Sequence, residues 1–275
     1  MSTKDSLGDR MKENYEDAYR TKLPGRLPII LRVDGCHFHT YTKHCKRPVD
    51  PGLVKCMDQT AIELCKQIQG CQVGYVQSDE ISLLLINYQT LDTQSWFQNN
   101  LQKMVSVSAG IASSTFTFNS YRIWMGGVAA PPGLECIKPA VFDSRAFVLP
   151  KEEVVNYFLW RQKDCERNSV QMLARSLYSH KECTDKNNSE LQEMCFQKGI
   201  NWNNIPTSQK RGRCIVKKTA PGSAVNRKTG ETVTFERSEW TVDNEIPIFS
   251  QDRTYLEKFL HPELVNDHQH KAGGL

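Results

Sequence analysis

Two short acidic motifs, each beside an apolar run, constrain the fold of this chain more than any other feature. Asp34 follows the apolar run that begins at Leu27, and Asp79 lies at the tip of a predicted hairpin between the apolar segments 73–76 and 81–86. Carboxylates at the ends of neighbouring strands can hold a pair of Mg²⁺ ions, the arrangement used in phosphoryl and nucleotidyl transfer. Either aspartate alone is more typical of a strand end or a turn. The prediction of a metal site therefore rests on the two aspartates together and on the segment that lies between them.

That segment has the pattern of an α-helix. Asp50 and Pro51 supply an N-cap and a proline at the first helical position. Apolar residues then recur at helical spacing from Leu53 to Ile68, and Gly70 is placed as a stop. Strand, helix, strand and tight hairpin are the beginning of a split βαβ, or ferredoxin-like, fold.

The remaining pattern extends this unit to βαββαβ. A helix is predicted from about Thr93 to Thr117, and a strand from Ala140 to Leu149 after an irregular connection rich in glycine and proline. Outside the unit the pattern predicts an N-terminal helix at 7–19, helical segments at 151–178, a hairpin of strands 214–218 and 232–240, and a polar, frayed tail beyond His261.

Composition excludes several classes of protein. With 275 residues, 39% hydrophobic and 24% charged, the chain is typical of globular proteins. No apolar stretch approaches the roughly 20 residues that span a bilayer, and the acidic first twenty-five residues contain no apolar signal region. The ten cysteines are scattered without a C-x-x-C pair, which favours a reducing compartment. We therefore expect a cytoplasmic protein that does not enter a membrane.

A cluster of cysteines and histidines next to Asp34 admits a zinc interpretation. Its spacing fits no common structural zinc site, so this is the weaker interpretation. The cluster comprises Cys36, His37, His39, His44 and Cys45.

Positive charge is concentrated in one stretch. The net charge is +4, yet the segment from Cys195 to Gly230 has no acidic residue and carries Lys198, Lys210, Arg211, Arg213, Lys217, Lys218, Arg227 and Lys228. A solvated basic face is one explanation. A surface that neutralises nucleic-acid phosphates is the explanation that the segregation favours.

The motifs together resemble one known family, the tRNA-histidine guanylyltransferase superfamily. The resemblance rests on Arg32-Val33-Asp34-Gly35-x-x-Phe38-His39, Gln77-Ser78-Asp79-Glu80, Phe142-Asp143-Ser144-Arg145, Trp160-Arg161-Gln162-x-Asp164-Cys165, Ile200-Asn201-Trp202-Asn203-Asn204 and Lys210-Arg211-Gly212. These motifs occur in order over most of the chain, so that coincidence is a poor explanation.

The resemblance implies an α+β fold with a ferredoxin-like, polymerase-palm catalytic domain at 1–150, and a C-terminal helical and basic hairpin region at 151–275 that binds RNA. It implies addition of nucleotides in the 3′–5′ direction to the 5′ end of tRNA, after activation of that end by ATP or GTP. It also implies a homotetramer. The predicted partners are therefore tRNA and nucleoside triphosphates.

The resemblance also assigns residues. Asp34 and Asp79 are the catalytic side-chain ligands of two Mg²⁺ ions, with the Gly35 carbonyl as a backbone ligand, and Glu80 is a hairpin residue or an orienter of the site. The 5′-activation lysine corresponds to Lys46 or Arg47. The nucleotide-binding residues predicted in this way are Asp34, Gly35, Cys36, His37, Phe38, His39, Lys46, Arg47, Ser78 and Asp79. The predicted RNA-binding residues are Arg145, Lys198, Lys210, Arg211 and Arg213.

One departure from the family pattern indicates a branch. The dedicated guanylyltransferases carry His-Ile-Asn-Asn-Leu-Tyr-Asn after the Asp-Cys pair, whereas here Cys165 is followed by the segment 166–172, in which only Asn168 is held. The chain therefore resembles the guanylyltransferase-like branch, which repairs 5′-truncated tRNA by templated addition. A dedicated guanylyltransferase, a palm-domain nucleotide cyclase and a non-catalytic RNA-binding module are the alternatives.

Overall fold

An antiparallel sheet of six strands forms the centre of the molecule. The computed structural model describes residues 6–124, 138–225, 230 and 232–261. Its strands are β1 (Ile29–Gly35), β2 (Cys71–Gln77), β3 (Glu80–Leu85), β4 (Phe142–Val148), β5 (Arg213–Val225) and β6 (Thr232–Asp243). Their spatial order is β4-β1-β3-β2-β5-β6. The first four strands and their connecting helices are consistent with the predicted ferredoxin-like arrangement.

Helices cover both faces of this sheet. Within the described ranges they are α1 (Ser6–Met11), α2 (Phe38–Tyr41), α3 (Pro51–Gln67), α4 (Leu101–Trp124), α5 (Lys151–Leu177), α6 (His180–Cys183), α7 (Asn188–Gln197), α8 (Thr207–Arg211) and α9 (Thr254–Glu257).

Neighbouring residues explain why the first crossover helix, α3, begins at Pro51. The Asp50 side chain accepts hydrogen bonds from the backbone amides of Gly52 (2.7 Å) and Leu53 (3.1 Å). It thereby satisfies two of the amides that a helix start leaves without a partner. Pro51 fits the first helical position because it has no amide hydrogen to lose. The helix predicted between the two acidic motifs is thus present.

Alternation along β1 divides the core into two layers. Leu31 and Val33 pack with α3 and α4, whereas Ile30 on the opposite side packs with Tyr75, Phe158 of α5 and Phe249 near the chain's end. All of these side chains are buried. A strand that is covered on both faces reads as a continuous apolar run, which explains the uninterrupted segment before Asp34. A smaller cluster joins the second half of α5 to α7.

Three predicted elements differ from the structure in their extent. Helix α4 begins at Leu101 rather than Thr93, because Phe97, Gln98 and Asn99 have φ values of 49°, 52° and 60° and interrupt a right-handed helix. The C-terminal hairpin is longer than predicted, and its strands continue in register to the pair Val225 and Thr232. The N-terminal helix is present but leaves the α-helical form after Met11, through a π-helical and a 3₁₀ turn.

Some of the predicted segments fall on residues that the structure does not describe. The irregular connection at 126–133 and the frayed tail lie outside the described residues. The division at residue 150 stays a prediction, and β5 from the C-terminal part pairs directly with β2. No helix within the described ranges combines the length and apolar composition that crossing a membrane requires.

Candidate active site

The fold brings the two acidic motifs together at one end of β1. Asp34 lies opposite Glu80 in the β1–β3 register, and Asp79 immediately precedes Glu80. The backbone amide of Gly35 donates to the carbonyl oxygen of Asp79 at 3.1 Å. Asp79 therefore occupies the hairpin tip beside the end of β1, as the sequence predicts. Ser78, the other tip residue, has a φ of 45°, a strained conformation of the kind found at functional sites.

A third strand contributes another carboxylate to this end of the sheet. Asp143 on β4 lies opposite Asp34, which itself lies opposite Glu80 on β3. Because directly paired residues project to the same face, Asp143, Asp34 and Glu80 form a row across three strands. The sequence prediction did not select Asp143 as a site residue. The signal that finds it is its position at the start of β4, the strand that a ferredoxin-like order places next to β1.

Arginines accompany two of the four carboxylates. Glu80 is held by Arg161 of α5, whose Nε and Nη2 each lie 2.7 Å from one carboxylate oxygen. Asp143 lies beside Arg145, with an Nη2–Oδ1 distance of 3.2 Å. Neither Asp34 nor Asp79 forms an ion pair with any described residue. The two carboxylates without a paired cation are therefore the two predicted metal ligands.

The electrostatics of these two aspartates match that arrangement. Burial raises the pKa of Asp34, and the negative charges of Asp79 and Glu80 raise it further. Burial also raises the pKa of Asp79, while a hydrogen bond from Ser78 partly opposes the shift. A neighbouring cation stabilises the charged form of a carboxyl group whose pKa is raised in this way. The site thus has an excess of negative charge that divalent metal ions would neutralise.

The chain turns after Gly35 at the end of β1, and the Phe38 ring leaves room only for glycine at this position. A Cβ atom on Gly35 would lie 2.3 Å from Cδ2 of Phe38, which packs directly over the turn. Phe38 is 3% exposed and contacts the rings of Phe116 and Phe142 at centroid distances of 5.3 and 4.9 Å. The Phe38 side chain therefore belongs to the core, and only its backbone is available to a nucleotide.

The other residues of the predicted nucleotide site surround this turn. His37, His39, Lys46, Arg47 and Ser78 are exposed, and Cys36 is half-buried. The amides of Gly35 and Cys36 already donate to Asp79 and Val141, so phosphate oxygens would find free donors only further along the turn. The exposed side chains are consistent with a ligand-binding face, and their roles stay predictions.

The structure does not support direct phosphate contacts by two of the predicted RNA-binding residues. Lys210 is 8% exposed and donates from Nζ to the carbonyl oxygen of Asn203 at 2.6 Å. Arg213 is 5% exposed and pairs with Asp58, with an Nε–Oδ1 distance of 2.6 Å. Both side chains are buried because they satisfy groups inside the fold. A charge count along the sequence does not reveal this.

The remaining basic residues have different environments. Arg211 is partly buried and donates to Glu166 at 3.0 Å. Arg145 and Lys198 are exposed, and their contact with RNA stays a prediction. Lys217 and Lys218 are also exposed, at the point where β5 leaves the sheet and pairs only with β6. The exposed positive charge therefore lies on the hairpin and around Lys198.

The motif that begins at Trp160 joins the site to the C-terminal part. Arg161 holds Glu80, and the Gln162 side chain bonds the carbonyl of Pro247 (2.9 Å) and the amide of Phe249 (2.8 Å). Further along α5, Ser169 accepts a hydrogen bond from Trp202 Nε1 at 2.9 Å. These contacts inside the protein explain why arginine, glutamine and serine occur at positions 161, 162 and 169. The signal for Arg161 is a basic residue among the apolar positions of a predicted helix.

A separate cavity of about 240 Å³ lies beside the start of α4. Its lining combines basic, amide and aromatic groups, which suits an anionic group. Arg20 contacts Asp17 at 2.6 Å, so part of its charge is already compensated. The cavity is lined by Arg20, Lys22, Phe97, Gln98, Asn100 and Lys103.

The donor set at the aspartates fits Mg²⁺ better than zinc. Among the described residues no group of three or more histidine, cysteine, aspartate or glutamate side chains is arranged to hold a metal ion. The predicted ligands, two carboxylates and the Gly35 carbonyl, would form an oxygen-only, incomplete set. Mg²⁺ is commonly bound by one or two carboxylates, with substrate phosphates and water as its other ligands.

Comparison with known proteins identifies the family. The family model described as Thg1, tRNAHis guanylyltransferase, matches residues 8–150. A probable tRNA(His) guanylyltransferase of Dictyostelium discoideum is 30% identical over 224 residues, which cover 76% of this chain and 82% of that protein. A bacterial tRNA(His) guanylyltransferase (Thg1)-like protein in complex with ATP is 44% identical. Its TM-score is 0.78, over 92% of this chain and 98% of that one.

The same comparison with a GTP complex gives 44% identity and a TM-score of 0.75, over 94% of this chain and all of that one. These matches confirm the resemblance that the motifs indicate and the predicted α+β fold. The chain belongs to the tRNAHis guanylyltransferase (Thg1) family of nucleotidyltransferases.

Proposed function

We propose that this protein adds nucleotides in the 3′–5′ direction to the 5′ end of truncated tRNA, directed by the opposing strand. The observation that carries the proposal is the arrangement of four carboxylates at the end of β1. Arginines accompany two of them, and Asp34 and Asp79 have no ion-pair partner among the described residues. Such a pair suits two Mg²⁺ ions, which stabilise attacking and leaving oxygens in nucleotidyl transfer.

The chain's own residues have defined tasks in this reaction. Asp34, Asp79 and the Gly35 carbonyl would hold the metal ions, which would stabilise charge on the attacking and leaving oxygens, and the turn from Cys36 to His39 would lie against the triphosphate. A bacterial relative has been solved with ATP and with GTP, which supports these nucleotides as activating and incoming substrates. Exposed Lys46 or Arg47 contributes to activation of the 5′ end. Activation joins the nucleoside monophosphate of the triphosphate to the 5′ phosphate of the tRNA and releases pyrophosphate. The 3′-hydroxyl of the incoming nucleotide then loses its proton, attacks that 5′ phosphate and displaces the nucleoside monophosphate.

The proposal of template direction rests on the segment after Cys165. Glu166 pairs with Arg211 at 3.0 Å, and Ser169 accepts a hydrogen bond from Trp202. These residues stand where the dedicated guanylyltransferases have the histidine and an asparagine of their motif, and here they make contacts inside the protein. Side chains used in this way do not read a tRNA base. The choice of nucleotide then passes to base pairing with the opposing strand of the acceptor stem.

Exposed basic residues supply the proposed tRNA surface. Arg145 lies on the β4 edge near the carboxylates, and Lys198, Lys217 and Lys218 are exposed in the C-terminal part. Long-range attraction to phosphates requires accessible charge, which these residues provide. Assembly as a homotetramer, which follows from the family resemblance, and a cytoplasmic location, which the scattered cysteines favour, are parts of the proposal.

One incorporation experiment tests the proposal. The purified protein is incubated with Mg²⁺, ATP and a 5′-truncated tRNA, and the incorporation of each nucleotide is measured opposite each template base. We expect the complementary nucleotide in every case and a halt when the stem is complete. Guanosine addition whatever the opposing base identifies a dedicated guanylyltransferase. Cyclic nucleotide formation without RNA identifies a cyclase, and the absence of any product identifies a non-catalytic RNA-binding module.

A further inference from the structure

Glu80 lies where it could compete for the metal ions. It is directly opposite Asp34 on β3 and follows Asp79 in the chain. Side chains of directly paired residues start about 4.5–5.5 Å apart, and a glutamate side chain can cross that distance. A free Glu80 would therefore add a carboxylate beside Asp34 and Asp79 and change the charge and the ligand set of the site.

Arg161 is the group that prevents this. Its Nη2 lies 2.7 Å from Oε2 of Glu80 and its Nε lies 2.7 Å from Oε1. The other contacts of Glu80 are longer: Gln77 and Ser82 approach Oε1 at 3.3 and 3.4 Å, and Arg32 remains 3.8 Å from Oε2. Without Arg161, Oε2 would keep only the distant Arg32 among these groups.

Arg161 is itself firmly placed. Its side chain is only 7% exposed, its Nη2 also contacts Asp164 at 3.0 Å, and its guanidinium lies 4.4 Å from the centre of the Trp160 ring. Burial alone would lower the pKa of Arg161, but the Glu80 carboxylate raises that pKa above its ordinary value. The guanidinium is therefore a permanent charge with a fixed orientation, and a planar fork suits a two-pronged carboxylate contact.

We propose that Arg161 is a positioning residue that withholds Glu80 from the metal site at Asp34 and Asp79. This inference rests on the proposed function for its chemistry, but it makes a separate claim about metal affinity. Substitution of Arg161 by glutamine releases a negative charge beside the aspartates. Divalent metal should then bind more tightly, by about fivefold, while nucleotide addition becomes slower because the ligand geometry is wrong. A role in folding alone predicts no gain in metal affinity.

The test measures Mn²⁺ binding by the electron paramagnetic resonance signal of the free ion, with GTP present and no RNA. The variants are Arg161→Gln, Glu80→Gln and the double variant, together with Arg161→Lys, which keeps the charge but loses the fork. We expect tighter binding in Arg161→Gln, a smaller gain in Arg161→Lys, and near wild-type affinity in the double variant because the released carboxylate is gone. Nucleotide addition should recover in the double variant relative to Arg161→Gln.

Asp58→Asn is the matched control, because it breaks another buried arginine–carboxylate pair on the α3 side of the sheet. It should lower the melting temperature and leave Mn²⁺ affinity unchanged. If Arg161→Gln fails to fold, Arg161→Lys carries the test. Unchanged or weaker Mn²⁺ binding in the folded arginine variants, or a double variant no different from Arg161→Gln, would overturn the proposal. A wild-type protein that binds Mn²⁺ through Asp34 and Asp79 but extends no tRNA would contradict the proposed function and leave this inference intact.

Discussion

The amide of Gly35 and the carbonyl oxygen of Asp79 are joined by a backbone hydrogen bond of 3.1 Å. This bond ties the residue after the first aspartate to the second aspartate itself. The separation of the two segments that carry the proposed ligands is therefore set by backbone pairing rather than by flexible side chains. A metal site on paired strands is more precisely placed than one on independent loops.

Removal of either aspartate's charge should abolish nucleotide addition without unfolding the protein. We expect Asp34→Asn and Asp79→Asn to lose at least about a hundredfold in rate, because a metal clamp stabilises the transition state by several kcal/mol. The melting temperature of metal-free protein should stay the same or rise, since each substitution removes a like charge from its neighbour. Near wild-type addition by either variant at saturating Mg²⁺ would show that the site lies elsewhere.

The same aspartates should make metal-free protein less stable as pH rises. Burial raises the pKa of both Asp34 and Asp79 in the folded state above the unfolded values. Their contribution to stability is then fully present below the unfolded pKa and is lost as pH rises through the folded pKa. We expect the melting temperature of wild type, relative to an Asp34→Asn/Asp79→Asn variant, to fall between pH 4 and pH 7 in EDTA. Saturating Mg²⁺ should reverse this difference in melting temperature at pH 7. A melting-temperature difference that changes with neither pH nor Mg²⁺ would contradict the proposal that Asp34 and Asp79 bind the metal ions.

Gly35 should tolerate no side chain. In Gly35→Ala the new Cβ would meet the Phe38 ring at 2.3 Å, and the resulting displacement should cost about 1–3 kcal/mol of unfolding free energy and most of the activity. Gly110→Ala is the control, because Gly110 lies exposed within α4 with no atom near the added methyl group. That change should stabilise the protein by about 0.5–1 kcal/mol. Equal effects of the two substitutions in chemical denaturation would refute this explanation of the turn.

Exposed and buried lysines should differ in their effect on tRNA binding. Lys217→Gln and Lys218→Gln should each reduce the magnitude of the log–log salt slope of binding by about 0.7–0.9, because each lost phosphate contact releases fewer counterions. Lys210→Met should instead lower stability, since its Nζ–Asn203 bond lies inside the protein. Filter binding across a salt series and thermal unfolding give the two readouts. A slope that changes for Lys210 but not for the two exposed residues would restore the original prediction.

Local patterns and global pairing differ in how well the sequence predicts them. The start of α3 is predictable because Asp50, Pro51 and the two amides that the Asp50 side chain caps are neighbours in the chain. The proximity of Asp34 and Asp79 follows from a short βαββ unit. The partner of Arg161 is not predictable in this way, because Glu80 lies 81 residues earlier in the chain.

Burial of charge is the hardest feature to predict from composition. Arg213 reads as part of a basic surface, yet its partner Asp58 is 155 residues away in sequence and covers it inside the fold. Lys210 similarly turns inward to a backbone carbonyl. A long basic side chain can follow either course, and only the three-dimensional environment decides between them.

Helix α5 has a mechanical consequence. Its 27 residues make a rod about 40 Å long at 1.5 Å per residue. One part rests on the central sheet through Phe158 and grips Glu80 through Arg161, and the far part is packed against Leu191 of α7. A shift of the end of α5 that packs on α7 would therefore reach Arg161 and Glu80 along one continuous helix, with no loop between them.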